Sequence, residues 1–404
     1  MIGFFENLPS ERSIASRCAD SFSLRAFLGY GLEEATPDHS SLSVIRGRLG
    51  TAIYQAAFEL VLEGLRQHGL LKGRNLGIDS SVIEANASLR ALVHRNTEEE
   101  YWEYVKRLAA EAGIDPDDTK AVRRFDKNRE GRKTSNQEWV NPHDPDAKVG
   151  MTKHGACDMI YKPEHITDLD TGVIVAAEVR CGDEGDTVGL AGRVLAAGEV
   201  LSRVCEDPDQ TKVLTSLTAD EGYFAVEETC CLRLERVRVI IGDPHESKRR
   251  PDKQDAVVRQ VLHKAKQTVG SESGKALLRK RGEHLERSFC HVLDHGKHRR
   301  ATLRGRKNLT MRQLAAAFTH NLSVLMRHLT GHGTPKQWLA AAAGAFFGVI
   351  GASRAALERL VALSTRKLQR YCFNRSGNDG SVRRGPWRLS VTCESEIRRF
   401  STGC

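Results

Sequence analysis

The sequence lacks the patterns that mark secreted, zinc-thiolate and membrane proteins. Its ten cysteines form no C-x-x-C pair and no metal-type spacing, which favours a reduced, cytosolic chain over a disulfide framework. No basic region followed by a long apolar core opens the chain, so no signal peptide is predicted. The longest apolar run, residues 338–352, is shorter than the roughly 18–20 residues of a membrane span. We expect no membrane partner and a buried helix of small residues there.

Three signatures of common enzyme classes are also missing. No Gly-rich phosphate loop occurs, and no histidine motif accompanies the cysteines to make one a nucleophile. His291 and His295 have the spacing of zinc ligands on a helix. The residue after His291 is Val292, however, and not the glutamate that a zinc hydrolase requires. A polar helix face is therefore the favoured interpretation of the two histidines.

Residues 1–72 are predicted to be all-helical, with helices near 10–18, 21–27 and 51–68 separated by turns. Short helices joined by tight turns are typical of a helix-turn-helix DNA reader, and equally of a plain helical bundle. Both interpretations stay open at this point.

From residue 73 to about residue 330, predicted strands alternate with helices. A first strand ends at Asp79, a hairpin follows over 158–179, and further strands end at Asp220 and near residue 241. An antiparallel hairpin beside parallel crossover strands indicates an α/β mixed sheet with helices on both faces. This order matches the ribonuclease H-like fold, with residues 87–153 as an insertion that includes a basic, polar linker.

Two of these predicted strands end in an acid, Asp79 and Asp220. Chemistry in α/β folds lies at the carboxyl ends of strands, although turn aspartates after strands are common. In the ribonuclease H-like topology the two strands are neighbours, so the two carboxylates would lie close together. We expect the third acid, Glu286, on the last helix, one residue from the buried Leu285. Glu283 points further from that buried face.

Neighbouring carboxylates repel one another and need a cation to offset their charge. Mg²⁺ takes oxygen ligands, and two such ions can promote both halves of a phosphoryl displacement. The three acids are therefore predicted to bind two Mg²⁺ ions beside a polyanion.

The positive charge of the chain is concentrated beside Glu286. Lys and Arg number 61 against 52 Asp and Glu, an excess of nine, which favours a polyanionic partner. Residues 279–307 alone hold ten Lys or Arg against three acids, an excess of seven. A charge run is usually a solvated face, but here it adjoins a candidate metal ligand. The predicted DNA-backbone contacts are Arg279, Arg281, Arg287, Arg299, Arg300, Arg304, Arg306 and Lys307.

Several short motifs occur in a fixed order from the first residues to about residue 329. They are Phe4-Phe-Glu-Asn-Leu-Pro-Ser-Glu-Arg12, Asp38-His-Ser-Ser41, Gly77-Ile-Asp-Ser-Ser81, Asp144-Pro-Asp-Ala147, Thr218-Ala-Asp-Glu-Gly-Tyr223, Leu285-Glu-Arg-Ser-Phe289 and His320-Asn-Leu322. In this order the motifs resemble those of bacterial insertion-sequence transposases of the DDE superfamily.

That resemblance implies a function and a set of partners. Asp79, Asp220 and Glu286 would be the acidic triad, with Mg²⁺ bound and Mn²⁺ able to substitute. The protein would cut double-stranded DNA at the terminal inverted repeats and join it to target DNA. It would act as a homodimer, in the cytoplasm and on the nucleoid.

The chain departs from the family pattern at Glu221, Gly282 and Leu293, where related sequences carry Lys, Arg and Lys. It also starts within the family's helical N-terminal region, so part of an end-recognition domain is expected to be missing. Two alternatives therefore stay open: a copy that binds element ends without cutting, and a nuclease of the same fold that does not join strands. Residues 331–373 are predicted to be a helical segment, and residues 374–404 a disordered basic tail.

Overall fold

The computed structural model describes residues 1–130, 135–205, 213–245 and 255–341. Met1–Trp338 form one compact unit, and only residues 339–341 of the second unit, Leu339–Cys404, are described. Residues 335–341 are helical, as predicted. The remainder of the predicted helical segment and the predicted tail lie outside the described residues. Within those residues, no helix is long and apolar enough to cross a membrane.

The N-terminal region is helical, as the sequence predicts. Its helices are α1 (Ile2–Phe5), α2 (Glu11–Asp20), α3 (Phe22–Leu28) and α4 (His39–Gln67). The Ser10 side chain accepts from the Ser13 amide and caps α2, and Asp38 caps α4 through Ser41 in the same way. Phe58 of α4 is fully buried and belongs to the core cluster that also contains the central sheet. The long helix of this region is therefore part of the main core.

The rest of the compact unit holds nine strands and seven α-helices within the described residues. The strands are β1 (Asn75–Ser80), β2 (Ile83–Glu84), β3 (Val93–His94), β4 (Trp139–Val140), β5 (Lys148–Met151), β6 (Cys157–Asp168), β7 (Ile174–Cys181), β8 (Ser216–Thr218) and β9 (Arg238–Ile240). The helices are α5 (Tyr101–Glu111), α6 (Thr119–Asn128), α7 (Leu190–Cys205), α8 (Val226–Leu234), α9 (Ala256–Gly270), α10 (Glu272–Phe289) and α11 (Arg306–Thr330).

The five main strands of the sheet lie side by side in the order β7-β6-β1-β8-β9. β6 pairs antiparallel with both β1 and β7, whereas β8 runs parallel to β1 and β9 runs parallel to β8. The short strands β2 and β5 add to β6. This is the strand order of the ribonuclease H-like fold, and the predicted fold class is confirmed.

Helix α10 lies against the centre of the sheet at Gly77. A Cβ at this position would lie 2.5 Å from Cδ2 of Leu169 and 3.3 Å from Cδ1 of Leu285, so only glycine lets α10 pack this closely. The neighbouring Leu76 and Ile78 point to the opposite face because side chains alternate along a strand. They are fully buried in the core cluster that includes α7. The sheet is thus covered on both faces.

The predicted insertion contains β3, β4, β5, α5 and α6. The stretch that the sequence predicts as a basic linker is in fact the helix Thr119–Asn128, capped by Asp118. Its Val122 packs with Val105 and Ala109 of α5 in a small separate core. A linker was the wrong prediction because the buried residues of this helix are few and widely spaced among its charges.

Candidate active site

The parallel pairing of β1 and β8 brings Asp79 and Asp220 to the same edge of the sheet. Gly77 pairs with Thr218, and each acid lies two residues after its member of that pair. The guanidinium of Arg281 lies between the two carboxylates. Its Nη2 is 2.9 Å from Oδ2 of Asp79 and 3.3 Å from Oδ2 of Asp220. The structure therefore brings two of the three predicted acids together, with an internal cation between them.

Each acid is also tied to its own backbone. Oδ1 of Asp79 accepts from the Ser80 amide at 2.9 Å. Asp220 caps a 3₁₀ turn, Glu221–Tyr223, and its Oδ1 accepts from the Gly222 amide at 3.1 Å. Asp220 is thus a turn residue and a site residue together, so the two interpretations of a strand-end aspartate do not exclude each other here.

A buried charge network supports the turn that carries Asp220. The Tyr223 hydroxyl donates to Oε2 of Glu164 at 3.0 Å. Glu164, only 2% exposed, also pairs with Arg193 at 2.7 Å and with Arg180 at 3.3 Å. A buried carboxylate is stable only with partners of this kind. Because Tyr223 lies three residues after Asp220, the network fixes the position of that acid.

Asp186 extends this network to the other acid. Its Oδ1 accepts from the Ser80 hydroxyl at 3.2 Å, and Lys162 is 3.2 Å away. Neither Glu164 nor Asp186 is among the predicted site residues. No local signal distinguishes Glu164 in the sequence, because its strand also carries Asp158, Lys162 and His165.

The electrostatics of the site favour an added positive charge. The pKa of Asp79 is raised to about 6, chiefly by burial; Asp220 and Asp186 also act to raise it, while Arg281 acts to lower it. Ionised Asp79 is therefore under-compensated even with Arg281 in place. A cation of higher charge would therefore stabilise the ionised carboxylates of this site.

The third predicted acid, Glu286, does not join this pair. It lies on the exposed face of α10, whereas Arg281, Leu285 and Ser288 lie on the sheet side. Glu286 lies five residues after Arg281 on the helix, which places the two side chains about 140° apart around its axis. Among the described residues, no three His, Cys, Asp or Glu side chains are close enough to hold a metal ion.

His165 fixes α10 against the sheet directly beside Asp79. The two residues are paired across β1 and β6. The buried His165 ring stacks on Phe289, with centroids 4.4 Å apart, and bonds to Ser288 at 2.9 Å and Gln313 at 2.6 Å. Burial lowers the pKa of His165 to about 3, so the ring is neutral. His165 is therefore a structural residue.

Most cations of residues 279–307, here called the basic segment, have partners inside the protein. Arg281 bridges the acid pair, Arg287 pairs with Glu283 at 2.6 Å, and Arg299 pairs with Asp294 at 2.6 Å. Arg306 lies 3.8 Å from Glu184, and Arg304 donates to the carbonyl oxygen of Asn86. Within the described residues, only three of the predicted DNA contacts have exposed side chains without such a partner: Arg279, Arg300 and Lys307.

Family comparisons identify the two ends of this architecture. A family described as "Transposase domain (DUF772)" matches residues 1–48, and one described as "Transposase DDE domain" matches residues 240–326. Both matches are to families of transposases. The resemblance drawn from the short motifs is thereby confirmed. The DDE match includes Arg281 and Glu286, whereas Asp79 and Asp220 lie before it.

Two further comparisons add little to this assignment. No curated protein matches this chain. Among solved structures, it is similar to the Mos1 transposase paired-end complex with left transposon end, at 9% identity and a TM-score of 0.21. That alignment covers 71% of this chain and 78% of the other. A similarity this low supports no argument about the site.

Proposed function

We propose that the transposase uses Asp79 and Asp220 as its metal-binding carboxylates, in a Mg²⁺-dependent cleavage and joining of DNA. The observation that carries this proposal is the register of β1 and β8, which brings both acids to one sheet edge with a cation between them. A turn aspartate without a function would not need a buried network behind it.

The residues present fit a divalent ion. Mg²⁺ binds through one or two carboxylates together with waters and substrate phosphates, so an acid pair is a sufficient protein contribution. Burial disfavours the ionised form of Asp79 and raises its pKa, so a bound cation would stabilise its charged form. When bound there, Mg²⁺ or Mn²⁺ would supply Lewis-acid stabilisation of the charge on the attacked phosphate.

The protein's own side chains position these ligands. The Glu164–Tyr223 hydrogen bond holds the turn that carries Asp220, and the Ser80–Asp186 hydrogen bond holds the strand end that carries Asp79. Arg281 neutralises the pair in the absence of an ion. Its guanidinium also has the planar, multiple-donor geometry that suits a phosphate. We expect it to transfer from the carboxylates to the DNA backbone when the site is loaded.

Glu286 is retained in the proposal as the third acid. The DDE family match covers it, and it lies on the same helix as Arg281. A rotation or shift of α10 would be required to bring its carboxylate to the pair. Loss of metal-dependent cleavage in Glu286→Gln, with unchanged stability, would support this role.

The partners follow from the same chemistry. We propose that double-stranded DNA is the substrate, both at the element's terminal inverted repeats and at the target, and that two copies of the chain act together. Element ends come in pairs, which favours a homodimer in which each copy holds one end. A DNA substrate also favours association with the nucleoid in the cytoplasm.

The test is cleavage of a plasmid that carries the reading frame and its flanking DNA. Wild-type protein with Mg²⁺ should nick the DNA at the element ends, and Asp220→Asn should lose this activity by at least about 10³-fold because an essential ligand charge is removed.

The matched control for this assay is Asp243→Asn, a half-buried aspartate that follows β9 and lies outside the acid pair. It should nick at the wild-type rate. Equal nicking by wild type and Asp220→Asn would contradict the proposal. Nicking without any joined product would instead indicate a nuclease of the same fold.

A further inference from the structure

Helix α6 of the insertion carries one face made entirely of cations. Lys120, Arg123, Arg124 and Lys127 are all exposed and follow the spacing i, i+3, i+4, i+7. At about 100° per residue they fall within an arc of about 100°, and they span roughly 10 Å along the helix axis. The four side chains, here called the α6 basic face, therefore form one continuous strip.

The opposite face of α6 is anchored, which fixes the direction of the strip. Asp126, 4% exposed, accepts from the Tyr101 hydroxyl at 3.0 Å and from Arg129 at 2.8 Å. Val122 is buried against α5. Because both residues point inward, the helix cannot rotate its cations toward the protein without breaking a buried ion pair and a small core.

No acid of the helix neutralises the strip. Asp126 is the single acid between Thr119 and Asn128, and it faces inward. Asp118, at the N-terminus, uses its carboxylate to accept from the amides of Lys120 and Ala121 at 3.0 and 3.1 Å. Within the described residues, none of the four cations has a carboxylate partner.

The basic segment is also rich in cations, but several of its cations are paired with carboxylates of the protein. There, Arg281, Arg287 and Arg299 are each within 3.0 Å of a carboxylate of the protein. Lone exposed cations are hydrated and common, but four on one fixed face repel one another unless an anion is present. An arrangement of this kind costs stability and is explained by an external polyanion.

We propose that the α6 basic face is a second DNA-binding surface of this transposase, distinct from the candidate active site, which contacts the phosphate backbone without reading sequence. The occupant is double-stranded DNA. Its phosphates present one negative charge per about 1.7 Å of helix axis, so a strip of this length meets several of them. Contacts to phosphate oxygens position the DNA and carry no sequence information directly. This inference rests on the proposed function for the presence of DNA.

The test is the salt dependence of DNA binding, measured by fluorescence anisotropy with a labelled duplex of arbitrary sequence. Each phosphate contact contributes about 0.9 to the slope of log K against log salt concentration. The double variant Arg123→Gln/Arg124→Gln should lower the magnitude of the slope by about 1 to 2. The variant that changes all four residues to Gln should lower it by about 2 to 4.

Two matched variants separate this surface from a general loss of charge. Arg107→Gln/Arg203→Gln removes two positive charges that already have partners, Glu99 and Glu59. It should change the slope by less than about 0.5, since a carboxylate of the protein already compensates the charge of each of these arginines. Arg123→Lys/Arg124→Lys keeps the charge and should keep the wild-type slope. Thermal melting of every variant confirms that each one is folded.

An unchanged slope in the folded double and quadruple variants would overturn the proposal. So would an equal loss in the Arg107/Arg203 control, because net charge alone would then explain the effect. These outcomes are independent of the cleavage assay. If the wild-type protein cuts DNA but the α6 variants keep the wild-type slope, only the proposed α6 surface is overturned. If the α6 variants lower the slope but the wild-type protein does not cut DNA, only the proposed chemistry is contradicted.

Discussion

The basic segment and the α6 basic face both contain many cations, but they differ in whether those cations are paired within the protein. Most arginines of the basic segment are paired with carboxylates or carbonyl groups of the protein. The four cations of α6 have no such partner within the described residues. The number of Lys and Arg in a segment therefore does not measure the charge that it presents to a ligand. The partners of those residues decide it.

The difference follows from where each segment lies in the fold. The basic segment passes beside the sheet edge that carries Asp79 and Asp220, and its own acids alternate with its arginines. Helix α6 belongs to the insertion, and its single acid, Asp126, is used internally. Four predictions test this contrast, and the first concerns Arg281, which bridges the two acids of the candidate site.

Arg281→Ala should give the largest change. It leaves Asp79 and Asp220 without the cation between them, and breaking a buried pair costs about 3–5 kcal/mol. Because both acids are partly exposed, we expect a loss of about 2–3 kcal/mol at pH 7 in urea unfolding. The control Arg279→Ala, an exposed cation without a partner, should stay within about 0.5 kcal/mol of wild type. Similar losses in the two variants would contradict the bridging role.

Asp79→Asn should be stabilising in a pH-dependent way. Burial raises the pKa of Asp79 from its ordinary value of 3.8 to about 6. Between these values the folded protein holds a proton that the unfolded chain releases, so the stability from this group falls as pH rises. Asparagine cannot ionise. The variant should therefore gain little at about pH 4 and about 2 kcal/mol at about pH 7 relative to wild type.

Comparing the unfolding free energies of Asp79→Asn and wild type at each pH isolates this group. The buried His165, His298 and His320, whose pKa values burial lowers, titrate equally in both proteins and cancel in the difference. A difference that does not grow with pH would show that the Asp79 carboxyl is not held in an unfavourable environment.

Arg299 and Arg300 provide the contrast between a paired and an unpaired cation at two consecutive residues. Arg299 bonds to Asp294 and to the Ser81 hydroxyl, at 2.6 and 2.8 Å, whereas the exposed Arg300 side chain has no partner within the described residues. Arg299→Gln should cost about 1 kcal/mol of stability and leave the DNA salt slope nearly unchanged. Arg300→Gln should leave stability unchanged and lower the slope by about 0.9. A loss of stability in Arg300→Gln together with a lowered slope in Arg299→Gln would contradict the conclusion that its partners decide what each cation does.

The smallest effect is expected at Arg287. Its pair with Glu283 spans one turn of α10, and both side chains are more than half exposed. Pairs of this kind contribute about 0.3–0.5 kcal/mol. A double-mutant cycle with Arg287→Gln and Glu283→Gln should give a coupling energy in that range, which added salt removes. A coupling above about 1 kcal/mol would mean that the pair is less solvated than its exposure indicates.

The sequence is sufficient to predict the parts of the site that depend on strand register. Asp79 and Asp220 follow paired residues of adjacent parallel strands, so their proximity follows from strand order alone. The position of Glu286 depends instead on the rotation of α10, which packing at Gly77 and His165 sets. A one-residue difference on a helix turns a side chain by about 100°, and no local pattern specifies it that finely.

Two other features could not be predicted for a related reason. Arg281 is indistinguishable in the sequence from the exposed Arg279, because only the three-dimensional structure shows which arginine faces the acids. The α6 basic face was predicted as a linker, since its helix has few apolar positions and its anchor is a buried ion pair. Partners that are distant in sequence therefore decide what each cation does.

The central claim is that Asp79 and Asp220 form one cation site that Arg281 fills in the absence of a metal ion. Electron paramagnetic resonance of free Mn²⁺, titrated with protein, measures occupancy of that site directly. Arg281→Ala should bind Mn²⁺ more tightly than wild type, and Asp220→Asn should lose the strongest site. Equal Mn²⁺ binding by wild type and Asp220→Asn would contradict the claim.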